Sequence, residues 1–170
     1  FLLVDTIESG LELASKAASV FSGSALVWLV TTASFLAIFT IGRRGGKAPE
    51  GTALATYLAF SIGLHNLGEG LAIGAAFAVG EAALGSLLVV GFTLHNITEG
   101  IGIAAPLVEL RPKFTTFLGL TALAGLPAVL GTWMGAFAFS PLWAALFLGI
   151  GGGAIVQVMV EVGSYLAPTA

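Results

Sequence analysis

The two histidines of the chain stand in matching contexts thirty residues apart. The first lies in the stretch LHNLGEGLAIGAAF and the second in LHNITEGIGIAAPL, and the two stretches share seven of their fourteen residues in register. In each, a glutamate follows the histidine by four positions, giving His65 with Glu69 and His95 with Glu99. Imidazole nitrogens and carboxylate oxygens suit Zn²⁺ and similar borderline cations where no thiolate is present. The repeat therefore indicates a divalent-metal site.

The spacing also predicts how these side chains meet. A separation of four residues places each pair on one helix face, one turn apart. Asn66 and Asn96 follow the histidines and widen each polar face by about 100°. A very short turn near 80–81 joins the two stretches, so we expect antiparallel neighbouring helices with their motifs at the same depth. Two imidazoles, two carboxylates and two amide oxygens would then converge.

The segments that must position these residues are strongly apolar. Of the 170 residues, 57% are hydrophobic, 9% are charged and none is cysteine. Soluble domains contain about 25% charged residues. The composition therefore excludes a soluble enzyme, a nucleic-acid-binding protein and a disulfide-stapled secreted domain. It indicates the lipid bilayer as the surrounding medium, where an ionised glutamate at a helix centre costs roughly 2.5–3.5 kcal/mol and a bound divalent cation offsets that cost.

Apolar runs predict membrane-spanning helices, because about 20 apolar residues cross the hydrocarbon core and only helices satisfy the backbone there. The predicted helices lie near 1–20 (a partial helix), 22–42, 52–79, 82–108, 114–138 and 142–166. Together they form a single transmembrane domain over 1–170, an all-α, polytopic transmembrane helix bundle. Since the chain opens on an apolar helix, we expect terminal helices of the natural protein to be missing from it.

Basic residues predict the orientation of this bundle. Five of the six fall in two loops that are predicted to lie on one side: Arg43, Arg44, Lys47, Arg111 and Lys113. Cytoplasmic loops carry an excess of lysine and arginine. We therefore expect a multi-pass protein of the cell (inner or plasma) membrane with loops 43–51 and 109–113 in the cytoplasm.

At HNLGEG and HNITEG the chain resembles the ZIP (Zrt-, Irt-like protein) family of divalent metal transporters, and GFTLHNITEGIGIAAPL is most similar to its GufA-like prokaryotic branch. The resemblance implies eight helices with both termini outside, of which about five to six are represented here. It also implies a binuclear site between the fourth and fifth family helices. One implied metal position is formed by His65, Glu69, His95 and Glu99. The second is formed by Asn66 and Asn96, which share the two glutamates.

The chain departs from the family's metal-site pattern at two positions. A glutamate often precedes a proline in the sixth family helix, whereas here Leu126 precedes Pro127, which removes a ligand. The residue after the fifth helix's histidine is often acidic, and here it is Asn96. Glu161 matches an acidic position near the end of the seventh family helix and is expected as an exit-path ligand. An interfacial glutamate in contact with water is an equal alternative for that residue.

These features predict a transporter and not an enzyme. The expected substrate is Zn²⁺, with Fe²⁺, Mn²⁺ and Cd²⁺ also suited to the same ligands, and the metal is both cargo and ligand of the site. Two alternatives stay open: an intramembrane metal-dependent enzyme, whose zincin form would need an absent H-E-x-x-H motif, and a non-transporting structural membrane subunit. Interhelical hydrogen bonding or a metal-free proton relay could also explain the polar cluster. A homodimer and either one or two bound ions are compatible with the sequence, and nucleic acid is not an expected partner.

Overall fold

A computed structural model describes residues 2–16, 23–43, 49–137 and 140–167. These residues form helices and connecting turns, and none of them lies in a β-strand. The six α-helices are α1 (Leu2–Lys16), α2 (Gly23–Gly42), α3 (Gly51–Ala78), α4 (Ala82–Ala104), α5 (Phe114–Phe137) and α6 (Pro141–Leu166). The prediction of an all-α helix bundle is confirmed. Arg44 and Lys47, two of the predicted cytoplasmic residues, lie outside the described residues.

Four stretches of the described chain are long and apolar enough to cross a membrane: Ser24–Gly42, Ala82–Leu107, Phe114–Phe137 and Pro141–Leu166. Large apolar side chains remain exposed along α4 and α5, among them Leu87, Leu118 and Trp133. Exposed apolar surface of this extent is unfavourable in water but favourable against lipid chains. The described helices therefore indicate a membrane protein.

Helix α3 lies at the centre of the bundle. It contacts α4, α5 and α6, while α1 and α2 pack against α6. Leu58 and Ile62 of α3 join Leu107 and Leu120 in the largest apolar core. In contrast, Gly85 and Ile103 are the buried residues that the structure gives for α4. Helix α3 is thus enclosed by protein, and α4 covers one side of it.

Glycines bring the backbones of α3 and α5 into direct contact. A Cβ atom added to Gly131 would collide with the carbonyl oxygen of Leu67, and one added to Gly74 would collide with that of Thr132. Two further glycines at this crossing lack room for a Cβ in the same way: Gly70 and Gly135. Small residues permit such close approach between membrane helices. The crossing fixes the depth of α3 relative to α5.

The two connections that carry basic residues lie at one end of the bundle, called here the basic end. A Cβ added to Gly51, where α3 begins, would meet the side chain of Leu110 in the α4–α5 connection at 2.9 Å. Arg43, just after α2, lies 3.5 Å from Glu161 near the end of α6. The described parts of 43–51 and 109–113 therefore share this end, and the α3–α4 turn at Gly80 lies at the opposite end.

Candidate metal centre

The first half of the site lies on the buried helix α3. His65 and Glu69 are separated by one turn, and Nε2 of His65 lies 3.1 Å from Oε1 of Glu69. Both side chains are almost fully enclosed, with exposed fractions of 4% and 5%. A carboxylate held this far from solvent needs a charge-balancing or hydrogen-bonding partner, because an isolated buried charge is strongly unfavourable.

Helix α4 supplies the second half of the site. Nε2 of His95 lies 3.0 Å from the same Oε1 atom of Glu69 and 3.4 Å from Oε1 of Glu99. The rings of His65 and His95 stack with centroids 5.9 Å apart. Glu69 therefore lies between the two histidines, and Glu99 contacts the outer one. The helix pair brings together all four residues expected at the first metal position.

The distances between these ligand atoms suit a single small cation. One nitrogen each from His65 and His95 and one oxygen of Glu69 all lie within 4.8 Å of one another. Zinc bonds of about 2.0–2.1 Å in tetrahedral geometry would separate neighbouring ligand atoms by about 3.3 Å. The separations of 3.0 to 3.4 Å between nitrogen and oxygen are close to that value.

Several polar atoms of the cluster are buried without a hydrogen-bond partner among the described residues. They include four side-chain oxygens and one ring nitrogen: Oε2 of Glu69, Oε2 of Glu99, Oδ1 of Asn66, Oδ1 of Asn96 and Nδ1 of His65. Buried polar atoms are satisfied in more than 90% of cases, so each exception calls for an explanation. Carboxylate and amide oxygens are acceptors only, and a cation is the partner that suits such a set.

The two asparagines lie beside the histidine cluster and not within it. Asn66, Asn96 and Glu99 line a cavity of about 210 Å³ between α3, α4 and α5. Nδ2 of Asn66 donates a hydrogen bond to the carbonyl oxygen of Ala124 on α5, at 3.0 Å. The six predicted ligands of α3 and α4 thus divide into a histidine set and an asparagine set. Glu99 belongs to both sets.

Leu126 faces away from both sets of ligands. Its side chain is 60% exposed on the outside of α5, and it lines neither the asparagine cavity nor the space around the histidines. A carboxylate at this position would point in the same direction. The departure from the family pattern at Leu126 therefore leaves the groups that surround Glu69 and Glu99 unchanged.

Glu161 is not part of the cluster. It is buried on α6 at 1% exposure, and its Oε1 atom lies 3.5 Å from a terminal nitrogen of Arg43. One turn earlier, Gln157 accepts a hydrogen bond from the hydroxyl of Ser61 at 2.6 Å. Ser61 is not among the candidate residues expected from the sequence, although it lies one turn before His65 on α3, where the helical spacing of polar residues would indicate it.

Two larger cavities reach the cluster from opposite directions, each of about 500 Å³. The far-end cavity is lined by His65, Glu69 and His95 and extends to Ala72 on α3, in the direction of the α3–α4 turn. Asp5 of α1 also lines it.

The basic-end cavity leads from the cluster in the other direction. It begins at His65 and Glu99 and extends along α6 to Val162. Glu99 lines this cavity, the far-end cavity and the asparagine cavity. The cluster therefore lies between two cavities that extend from it in opposite directions along α3.

The centre is thus a buried His65–Glu69–His95 group with Glu99 beside it, open to cavities on two sides. No protein-family model, no curated protein and no solved structure matches this chain.

Proposed function

We propose that this protein transports divalent metal cations, with Zn²⁺ as the preferred substrate and Fe²⁺, Mn²⁺ or Cd²⁺ as further substrates, across a cell membrane into the cytoplasm. The observation that carries the proposal is the His65–Glu69–His95 group at mid-length of two adjacent helices. A nitrogen and oxygen ligand set without sulfur suits these ions. The two glutamates balance the charge of a dication in a largely apolar part of the bundle.

The position of the cluster supports transport of a metal ion and not a permanent structural metal site. Structural zinc sites are closed, with four protein ligands in a tetrahedron. Here cavities approach the same residues from both ends of the bundle. Glu99 lines all of these cavities, so it can bind an ion that moves between the histidine set and the asparagine set. Movement of α4 against α3 would expose the cluster to each side in turn, since α4 is the peripheral partner.

Uptake of radioactive zinc into proteoliposomes tests the proposal. We expect wild-type protein to load zinc and the double variant Glu69→Ala/Glu99→Ala to lose uptake. The matched control is Glu81→Ala/Glu109→Ala, which removes two exposed glutamates at helix ends and should retain uptake. Equal loading by wild type and the Glu69/Glu99 variant would refute transport through this cluster.

The metal range is tested in the same vesicles. Because one ligand set accepts all four ions, unlabelled Cd²⁺, Mn²⁺ and Fe²⁺ should each compete with zinc uptake, whereas Mg²⁺ and Ca²⁺, which prefer oxygen ligands, should not. Zinc binding without any uptake would favour an intramembrane metalloenzyme or a structural subunit.

A further inference from the structure

We propose that Gly151 of α6 is a positioning residue for the metal ligand His65, so that α6 controls the geometry of the metal centre without supplying a ligand to it. The inference rests on the proposed function, because it gives a role in metal binding to a residue outside the metal centre. Its structural basis is the close approach of the α6 backbone to His65 on α3.

The backbone of α6 passes directly beside His65. A Cβ atom added to Gly151 would lie 3.2 Å from Cα of His65 and 3.6 Å from its Nδ1. The next turn of α3 is equally close to α6, since a Cβ added to Gly68 would lie 3.1 Å from the side chain of Leu148. Both glycines are buried. A side chain at Gly151 would therefore press on the backbone of the residue that carries the imidazole.

No hydrogen bond from the described residues holds the ring of His65 on the side of α6. Its Nε2 atom lies 3.1 Å from Glu69, whereas Nδ1 is buried without a hydrogen-bond partner in the described part of the chain. A metal-binding histidine almost always donates its second ring N–H to another group, and that bond fixes the orientation of the ring. Among the described residues it is packing that limits the orientation of this ring, and Gly151 lies beside Nδ1.

Three consecutive glycines of α6 contact three different helices. Gly151 contacts α3. A Cβ added to Gly152 would lie 2.9 Å from Cδ1 of Ile7 on α1, and one added to Gly153 would collide with the carbonyl oxygen of Thr31 on α2. The effect of crowding the metal ligand can therefore be separated from the effect of crowding the bundle at the adjacent position of the same helix.

The size of the expected displacement explains why metal binding should respond. The 3.2 Å contact is tighter than ordinary van der Waals separation, so a methyl group at Gly151 would displace α3 or α6 by a few tenths of an ångström. Metal–ligand distances are held within about 0.2 Å of their ideal values. Such a displacement is therefore large enough to misplace Nε2 of His65. Loss of the groups that orient metal ligands costs roughly 10–100-fold in affinity.

Histidine ring signals in nuclear magnetic resonance spectra test the proposal, because the chain contains only two histidines. Metal-free wild-type protein and its Gly151→Ala variant are labelled with ¹⁵N-histidine and compared in detergent, with His95→Gln used for assignment. We expect the ring signals of His65 to shift in Gly151→Ala and those of His95 to move less, since the added methyl group meets His65 directly. Zinc affinity, measured by titration calorimetry, should fall about tenfold.

Two substitutions on the same helix are matched controls. Gly152→Ala adds a methyl group beside the flexible end of a side chain of α1, and Gly163→Ala adds one where nothing lies within 4 Å. Both variants should keep the wild-type ring signals of His65 and the wild-type zinc affinity. A change in melting temperature alone, without a change at His65, is what a purely structural role would produce.

Leu148→Ala is a second variant for the same contact, because it removes side-chain atoms next to Gly68 instead of adding a methyl group at Gly151. The loosened contact between α3 and α6 should also shift the ring signals of His65. If Gly151→Ala does not fold, the spectrum of Leu148→Ala decides in its place.

Unchanged ring signals of His65 in these two variants would overturn the proposal, as would an equal shift in Gly152→Ala or a shift without any loss of zinc affinity. The spectra need no metal, so this inference and the transport proposal fail separately. If the wild-type protein binds no zinc, the proposed function is wrong, and the spectra still decide whether α6 positions His65.

Discussion

Glu69 and Glu99 occupy equivalent places in two nearly identical motifs but make different contacts. Glu69 lies within 3.1 Å of both histidine Nε2 atoms, whereas Glu99 reaches His95 alone, at 3.4 Å. Glu69 is also the more enclosed of the two, at 5% against 15% exposure. A ligand that joins both helices and is held away from water contributes more to metal affinity than one that contacts a single helix.

We therefore expect Glu69→Gln to weaken zinc binding more than Glu99→Gln. Loss of residues that merely orient metal ligands costs roughly 10–100-fold in affinity, so loss of Glu69 should cost more than about 100-fold. Titration calorimetry on detergent-purified protein measures both variants, with Glu81→Gln as a control that should bind like wild type. Equal losses for Glu69→Gln and Glu99→Gln would show that the two carboxylates act symmetrically.

Asn66 serves the structure of α5 as well as the asparagine cavity. Its amide donates to the carbonyl of Ala124, in the turn of α5 just before Pro127, which lacks an amide hydrogen. We expect Asn66→Ala to lower the free energy of unfolding by about 1 kcal/mol in metal-free protein.

Thermal unfolding monitored by circular dichroism measures that loss. Asn96→Ala is the matched control, because the asparagine of α4 makes no corresponding bond among the described residues and should cost less. If the two variants melt at the same temperature, the bond to Ala124 does not stabilise α5.

At the level of elements, the crossing with α5 fixes the position of α3, the helix that carries His65 and Glu69. Gly131 contributes to this crossing because its lack of a side chain lets the backbone of α5 touch that of α3. Glycines four residues apart are expected by chance in a chain with 24 of them. The sequence therefore indicates nothing special at Gly131 and Gly135, and only the packing identifies them as contact points.

A side chain at Gly131 should separate the two helices. We expect Gly131→Val to reduce stability by about 1–3 kcal/mol through overpacking and to weaken zinc binding, since α3 carries His65 and Glu69. The control is Gly119→Val on the same helix, where an added Cβ meets nothing within 4 Å. Thermal unfolding and zinc titration report the two effects, and similar behaviour of both variants would contradict close contact at this crossing.

Helix boundaries follow largely from local sequence chemistry. Proline lacks the amide hydrogen that an α-helix needs, and the regular part of α4 ends at Ala104, two residues before Pro106. The sequence predicted that this helix extends to residue 108, because apolar residues continue to that point. A short 3-10 helix, Ala105–Leu107, follows the α-helix in the last part of the predicted segment. Hydropathy marks the extent of an apolar run, and hydrogen-bonding chemistry decides which part of it is helical.

For the whole molecule, the distribution of burial is the inverse of that in a soluble protein. The most polar long helix, α3, is enclosed, and the apolar helices α4 and α5 expose most of their surface. Lipid contact stabilises this arrangement because exposing apolar side chains to hydrocarbon costs no free energy. The polar residues of α3 find hydrogen-bonding or charged partners only inside the bundle.

This arrangement predicts opposite accessibility at the two ends of α4. Glu81→Cys lies in the α3–α4 turn and Arg111→Cys lies in the α4–α5 connection. In sealed vesicles we expect an impermeant thiol reagent to label one of them only from outside and the other only from inside. By the positive-inside rule Arg111→Cys should be the cytoplasmic one. Labelling of both from the same side would contradict a membrane-spanning α4.

The sequence by itself indicated a membrane environment, the helices and the candidate metal-ligating residues. Scarce charge required lipid, apolar runs required helices, and the spacing of His65, Glu69, His95 and Glu99 placed each pair on one face. Each of these follows from chemistry within a single helix, so a linear chain suffices to show it.

Only the tertiary structure decided how the ligands are shared. The rotation and offset of α4 against α3 select Glu69 as the residue between both histidines, turn the amide of Asn66 toward Ala124 and bring Glu161 to Arg43. These relations depend on backbone contacts such as the α3–α5 glycine crossing, which involve residues far apart in the chain. Spacing fixes the face of one helix, and packing among several helices fixes which faces meet.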